Sequence, residues 1–118
     1  MAWTDYRSAP APGTPICRAA EITAVHPLTV TTGRGGFPLL VLRDGDTIRA
    51  FVNACPHQYL PLDYRGTTLL SADGTRLLCT AHGASFDKST GAAIAGADCG
   101  LDPVPVHVAD GMVCIGGA

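Results

Sequence analysis

Three Asp–Gly dipeptides, Asp44-Gly45, Asp73-Gly74 and Asp110-Gly111, punctuate the chain. Asp–Gly between apolar runs is a strong short-range signal for a β-hairpin, because glycine enters the positive-φ region of tight turns without steric cost. "FPLLVLR" (37–43) and "TIRAFVN" (47–53) flank the first, with Asp44-Gly45 expected in the turn. "TTLLS" and "TRLLC" flank the second; "VPVHVA" and "MVCIG" flank the third. "TPICRA" and "PLTVTT" add two more β-like runs, and no segment carries ten or more residues of helical periodicity. The expected fold is all-β, with short strands in a Greek-key or barrel-like core. The first thirteen residues, with Pro10, Pro12 and Gly13, read as an irregular lead-in.

A chain of 118 residues supports one hydrophobic core. Its apolar content of 47% against 15% charged residues is that of a globular protein. The formal net charge of −2 argues against nucleic-acid binding, which needs a clustered basic surface. No apolar run approaches the roughly 18–20 residues that cross a bilayer, so no membrane partner is expected. The opening "MAWTDYRSAPAPG" lacks the charged-then-apolar pattern of a secretory signal, so the expected location is the cytoplasm. In a reducing compartment five cysteines, an odd number, do not suggest a disulfide framework, and metal ligation is the better default for some of them.

The middle of the chain holds two Cys–His pairs: "CPH", with Cys55 and His57, and "CTAH", with Cys79 and His82, separated by 21 residues. They lie in loops 55–63 and 79–87, whose Pro56, Pro61 and Gly83 suit irregular backbone rather than ladder positions. A third, glycine-rich loop at 91–103 could close over the same site. Two thiolates and two imidazoles can hold a tetrahedral zinc. Zinc fingers, however, normally pair like ligands along the chain, whereas each loop here supplies one of each. That arrangement suits a binuclear site with the cysteines on one metal and the histidines on the other, the ligand set of a [2Fe–2S] cluster in which His₂ replaces Cys₂ on one iron.

These boxes, "CPH" and "CTAHGASFD", resemble the two cluster-binding motifs of the Rieske iron–sulfur family, and the similarity extends from the strands before Cys55 to "VPVHVADGMVCI". The resemblance implies an antiparallel β sandwich or barrel base from both ends of a single 1–118 domain, with a cluster-binding subdomain inserted at about 54–99. It implies Cys55 and Cys79 on the buried iron and His57 and His82 on the outer one. The formal charge of such a cluster explains its use. Two ferric ions, two sulfides and two thiolates sum to zero, so an added electron meets less repulsion than in an all-cysteine site. Potentials accordingly lie at about −150 to +300 mV, against about −400 mV for plant-type ferredoxins. The histidines also make the potential pH-sensitive. High-potential relatives place a serine and a tyrosine two and four residues after the second histidine, donating hydrogen bonds to sulfur. Here those positions hold Ala84 and Phe86. Those relatives also tie their loops with a disulfide, and here Leu60 and Ala81 stand at the places to check. The third loop, often proline-containing in the family, reads Gly96-Ala97-Asp98-Cys99. A low-potential, ferredoxin-like centre is expected.

The functional expectation is a one-electron carrier, the ferredoxin component that takes an electron from a flavin-dependent reductase and passes it to a terminal oxygenase. The chain has no evident catalytic site of its own. The alternatives are the small Rieske-like subunit of another reductase, such as nitrite reductase, or a redox-sensing or zinc-stabilised interaction module. His26 and His107 read as surface or strand histidines rather than ligands. Cys17 and Cys114 read as small core hydrophobes. Cys99, in the third loop, could lie near the cluster, although a packed or merely exposed thiol is the simpler reading. Leu60, Leu62 and Phe86 are candidates to cover the cluster. Gly33-Arg34-Gly35-Gly36 lacks the following helix that a phosphate site needs.

Overall fold

A computed structural model describes residues 2–55, 60–81, 83–97 and 99–117. Within them lie ten strands: β1 (Pro15–Arg18), β2 (Val25–Thr32), β3 (Gly35–Asp44), β4 (Thr47–Val52), β5 (Arg76–Leu78), β6 (Ser85–Asp87), β7 (Ala93–Ala95), β8 (Pro103–Val104), β9 (Val106–Ala109) and β10 (Met112–Ile115). The only helices among the described residues are two 3₁₀ turns, Trp3–Asp5 and Ala19–Glu21. The all-β expectation holds, and every strand pairing is antiparallel. No helix of the described residues is long and apolar enough to cross a membrane.

The chain divides into two compact units, Met1–Val52 with Asp102–Ala118, and Asn53–Leu101. The first holds two sheets, ordered β2-β3-β4-β8 and β1-β10-β9. Its apolar centre is β3, where the successive residues Leu39, Leu40, Val41 and Leu42 are all almost inaccessible. Successive strand side chains point to opposite faces, so such a run means that both faces of β3 are covered. Pro38 is tolerated within β3 because β4 pairs with it only from Leu39 onward. Between β8 and β9 only Pro105 intervenes, so the chain changes sheets there at a corner, and the Gly116 N–H donates to the Pro105 carbonyl at 2.7 Å.

The Asp–Gly turns differ in geometry. At the third, Asp110 and Gly111 both carry positive φ, 51° and 79°, the type I′ pattern. At the first, Asp44 pairs with Thr47, so the turn is Gly45-Asp46 rather than Asp44-Gly45. Gly45 takes the positive φ of 62°, as the first position of a type II′ loop requires, and Asp44 is freed to pair with Arg49 at 2.9 Å. The second turn, with Gly74 at φ 74°, closes a hairpin whose first arm is only a Leu70–Leu77 bridge.

The lead-in is more ordered than expected. The rings of Trp3 and Tyr6 meet the buried Phe37 ring edge-on, at centroid distances of 6.3 and 5.7 Å. An aromatic residue's apolar area, not local propensity, orders this segment.

The second unit holds the sheet β5-β6-β7. Two of its strands lie where loops were expected: β6 occupies the end of 79–87, and β7 lies inside 91–103. Both are three residues long, too short for alternation to show in sequence.

Candidate metal centre

The second unit builds its two cysteine loops alike. The Cys55 N–H donates to the Leu60 carbonyl at 2.7 Å, and the Cys79 N–H to the Ala84 carbonyl at 2.8 Å. Each bond spans five residues, so each loop is pinned at its base by the backbone of its own cysteine. In the second loop the Gly83 N–H also returns to the Cys79 carbonyl at 2.9 Å. Gly83 sits at φ 78°, where a side chain would cost about 1–2 kcal/mol. His57 and His82 fall between the pinned ends of the two loops in sequence and lie outside the described residues.

Both thiols are withdrawn from water, Cys55 at 0% and Cys79 at 1% exposure. No disulfide joins cysteines among the described residues. The loops are instead tied by hydrogen bonds. The Leu62 carbonyl accepts both the Thr80 N–H, at 2.8 Å, and the Thr80 hydroxyl, at 2.6 Å. Leu62 donates its own N–H to the buried Asn53 Oδ1 at 2.8 Å, and Asn53 Nδ2 donates to Asp63 at 2.9 Å. A buried amide is costly unless its polar atoms are paired, and here both ends of the Asn53 side chain are. Asn53, Asp63 and Thr80 were not singled out from sequence. Their bonds join segments far apart in the chain, which no local spacing signals.

The third loop does approach the second box. Gly96, at φ 76°, lies so close that a Cβ built on it would stand 2.9 Å from Ala84 Cα. The following residues are held by the Leu101 N–H, which donates to the Gly91 carbonyl at 2.8 Å. Cys99 is exposed. Leu62, Ala84 and Phe86 are fully buried, whereas Leu60 is half-buried. Neither Ala84 nor Phe86 has a side-chain donor to offer a buried sulfur.

The remaining histidines and two of the remaining cysteines belong to the first unit. His107 Nδ1 lies 2.7 Å from the Gly116 carbonyl, and His26 Nε2 accepts the Thr23 N–H at 3.4 Å, as strand histidines would. Cys114 is buried in β10. Cys17 is only half-buried, on an edge strand, and burial together with the neighbouring Glu21 carboxylate pushes its thiol pKa up. A raised pKa disfavours the thiolate that metals bind.

The donor chemistry therefore fits an iron–sulfur cluster with mixed ligation. Two buried thiols stand on loops closed in the same way, each loop carrying one histidine in its sequence, and Leu62, Ala84 and Phe86 of the same unit are buried too. The chain also matches known proteins. The family model described as the Rieske [2Fe-2S] domain matches residues 13–105. A ferredoxin of Sphingomonas yanoikuyae B1 is 31% identical at a TM-score of 0.69, over 87% of this chain and 96% of that one. The ferredoxin of carbazole 1,9a-dioxygenase from Nocardioides aromaticivorans IC177 is 25% identical at a TM-score of 0.66, over 89% of this chain and 99% of that one. A chain in the complex of reduced oxygenase and oxidized ferredoxin of carbazole 1,9a-dioxygenase is 28% identical at a TM-score of 0.67, over 86% of this chain and 99% of that one. A comparison of the sequence with curated proteins gives no match. Matched over most of its length and built around two buried, similarly looped cysteines, the chain belongs to the Rieske [2Fe–2S] domain family, whose cofactor is a [2Fe–2S] cluster.

Proposed function

We propose that this protein is the ferredoxin component of a Rieske-type oxygenase system, a cytoplasmic carrier that takes one electron from a flavin-dependent reductase and delivers it to a terminal oxygenase. The observation that carries the reading is the likeness to ferredoxin chains over 96% and 99% of their lengths. In this reading 1–118 is one domain, and its cluster-binding part is about 54–99.

Cys55 and Cys79, as thiolates, and His57 and His82, as imidazoles, would hold the cluster. When bound, a [2Fe–2S] cluster with two imidazole ligands supplies a one-electron couple near the middle of the biological range. The chain's own residues do the rest. Burial of Cys55 and Cys79 keeps water from the sulfurs, and Leu62, Ala84 and Phe86, buried in the same unit, add apolar surroundings. The absence of hydroxyls at Ala84 and Phe86 withholds two stabilising bonds from the reduced, more negative state. Their absence supports a potential in the lower part of the Rieske range.

The test is reconstitution of the holoprotein with a purified flavin reductase and a terminal oxygenase, following oxygenase turnover. Turnover that requires this protein and saturates with its concentration is expected. A protein that is reduced by the reductase yet supports no oxygenase turnover would refute the assignment.

A further inference from the structure

Thr80 makes more of its environment than a loop residue needs to. Its N–H and its Oγ1 both donate to the Leu62 carbonyl, at 2.8 and 2.6 Å, while Oγ1 accepts the Arg65 N–H at 2.9 Å. A hydroxyl has one proton and two lone pairs, so these bonds are mutually compatible. Both lone pairs of the Leu62 carbonyl can be engaged by this one residue. On its other side Leu62 is bonded to Asn53, and Asn53 to Asp63. A continuous chain of hydrogen bonds thus runs from two residues before Cys55 to the residue directly after Cys79.

We infer that Thr80 is a positioning residue that clamps the two cysteine loops together through the Leu62 carbonyl, and so governs how long the chain retains its cluster. The inference rests on the reading of Cys55 and Cys79 as ligands. For a cluster bridging both loops to escape, at least one loop must swing away from the other. The shared bonds at Leu62 oppose that motion. No cysteine at Leu60 or Ala81 supplies a covalent tie, so the work falls to the clamp. Serine can reproduce the Oγ1 bonds, whereas valine keeps the shape and loses both.

Each ordinary hydrogen bond contributes modestly once its exchange with water is counted, and Thr80 is half-buried beside an exposed Arg65. Loss of the two Oγ1 bonds should therefore speed cluster release roughly 3- to 30-fold. The experiment uses anaerobic holoprotein in excess iron chelator, comparing wild type, Thr80→Val, Thr80→Ser and Val30→Ala. Val30→Ala opens a cavity in the first unit and serves as a control for general destabilisation. Thr80→Val is expected to release iron several-fold faster than Val30→Ala at matched melting temperature. Thr80→Ser should keep both the wild-type rate and the wild-type EPR line shape. A Thr80→Val rate equal to wild type, or no faster than Val30→Ala, overturns the clamp. If Thr80→Val does not accumulate, amide exchange of the unmodified holoprotein decides by mass spectrometry. Residues 62–65 and 79–80 should exchange as slowly as β5 and β6, and exchange as fast as the 88–90 turn overturns the proposal. Failure of the ligand reading itself shows separately, as wild-type protein that carries no iron.

Discussion

Gly96→Ala tests whether the third loop must touch the second box. Gly96 lies at φ 76°, a conformation that costs a non-glycine residue about 1–2 kcal/mol. The new methyl would also stand 2.9 Å from Ala84 Cα, 3.3 Å from its Cβ and 3.4 Å from its nitrogen. Those atoms are backbone and a buried methyl, with no flexible tip to yield, so the two segments must part. Overpacking of this kind costs about 1–3 kcal/mol. Gly74→Ala provides the reference within the same unit. Gly74 has nearly the same φ, 74°, yet nothing lies within 4 Å of its ideal Cβ, so it incurs the backbone cost alone. The difference between the variants isolates the close approach. Because proteins with bound cofactors depart from two-state unfolding, the suitable assay is a rate, the loss of visible cluster absorbance at fixed guanidinium. If the contact is relieved as the loops open, about 1–3 kcal/mol translates to roughly 5- to 150-fold faster bleaching than in Gly74→Ala. Equal rates in the two variants would refute the packing of Gly96 on Ala84 as a constraint on the site.

Other outcomes follow from single contacts. Arg43 donates Nε to the Ile22 carbonyl at 2.8 Å and Nη2 to the Ala19 carbonyl at 2.9 Å, so Arg43→Met should lower the free energy of unfolding by about 1.5–3 kcal/mol per charged bond lost, read as a lower melting temperature at unchanged redox potential. The Asp73 carboxyl is held down at about 2, first by the Ser71 hydroxyl and then by the Thr75 N–H and hydroxyl. Its folded-state value lies below the ordinary 3.8, so its contribution is full above that value and fades as pH falls towards about 2. The melting temperature of wild type should therefore exceed that of Asp73→Asn at pH 6, with the gap closing through that acid range. Ala84→Ser with Phe86→Tyr supplies the two missing donors. Bonds to a charged acceptor are worth about 1.5–3 kcal/mol and ~1.4 kcal/mol corresponds to ~59 mV for one electron, so voltammetry should show a rise on the order of 100–250 mV. Both positions are fully buried, so an unchanged potential in a destabilised protein would mean that the hydroxyls find no sulfur.

Much of this architecture was legible locally. The Asp–Gly turns announced their hairpins because the positive φ they need is a property of one or two residues. The register of the first was misplaced by one residue, since Asp44-Gly45 and Gly45-Asp46 are indistinguishable until Asp44 pairs with Thr47. The strands β6 and β7 were hidden by their length, and the ordering of Trp3 and Tyr6 by the distance in sequence to Phe37. At the centre, the spacing of thiol and imidazole in each loop was readable, and the family resemblance implied a buried place for Cys55 and Cys79, but the backbone bonds that pin the two loops were not readable. The Asn53–Leu62–Thr80 bonds were invisible for the same reason as Phe37's partners, because they exist only after distant segments meet. His57 and His82 rest on their place in the two motifs.

The most direct measurement is an EPR spectrum of anaerobically purified, dithionite-reduced protein, with iron and zinc quantified on the same sample. A signal of low average g from about two irons per chain is the predicted result. A colourless, EPR-silent sample carrying one zinc would contradict it.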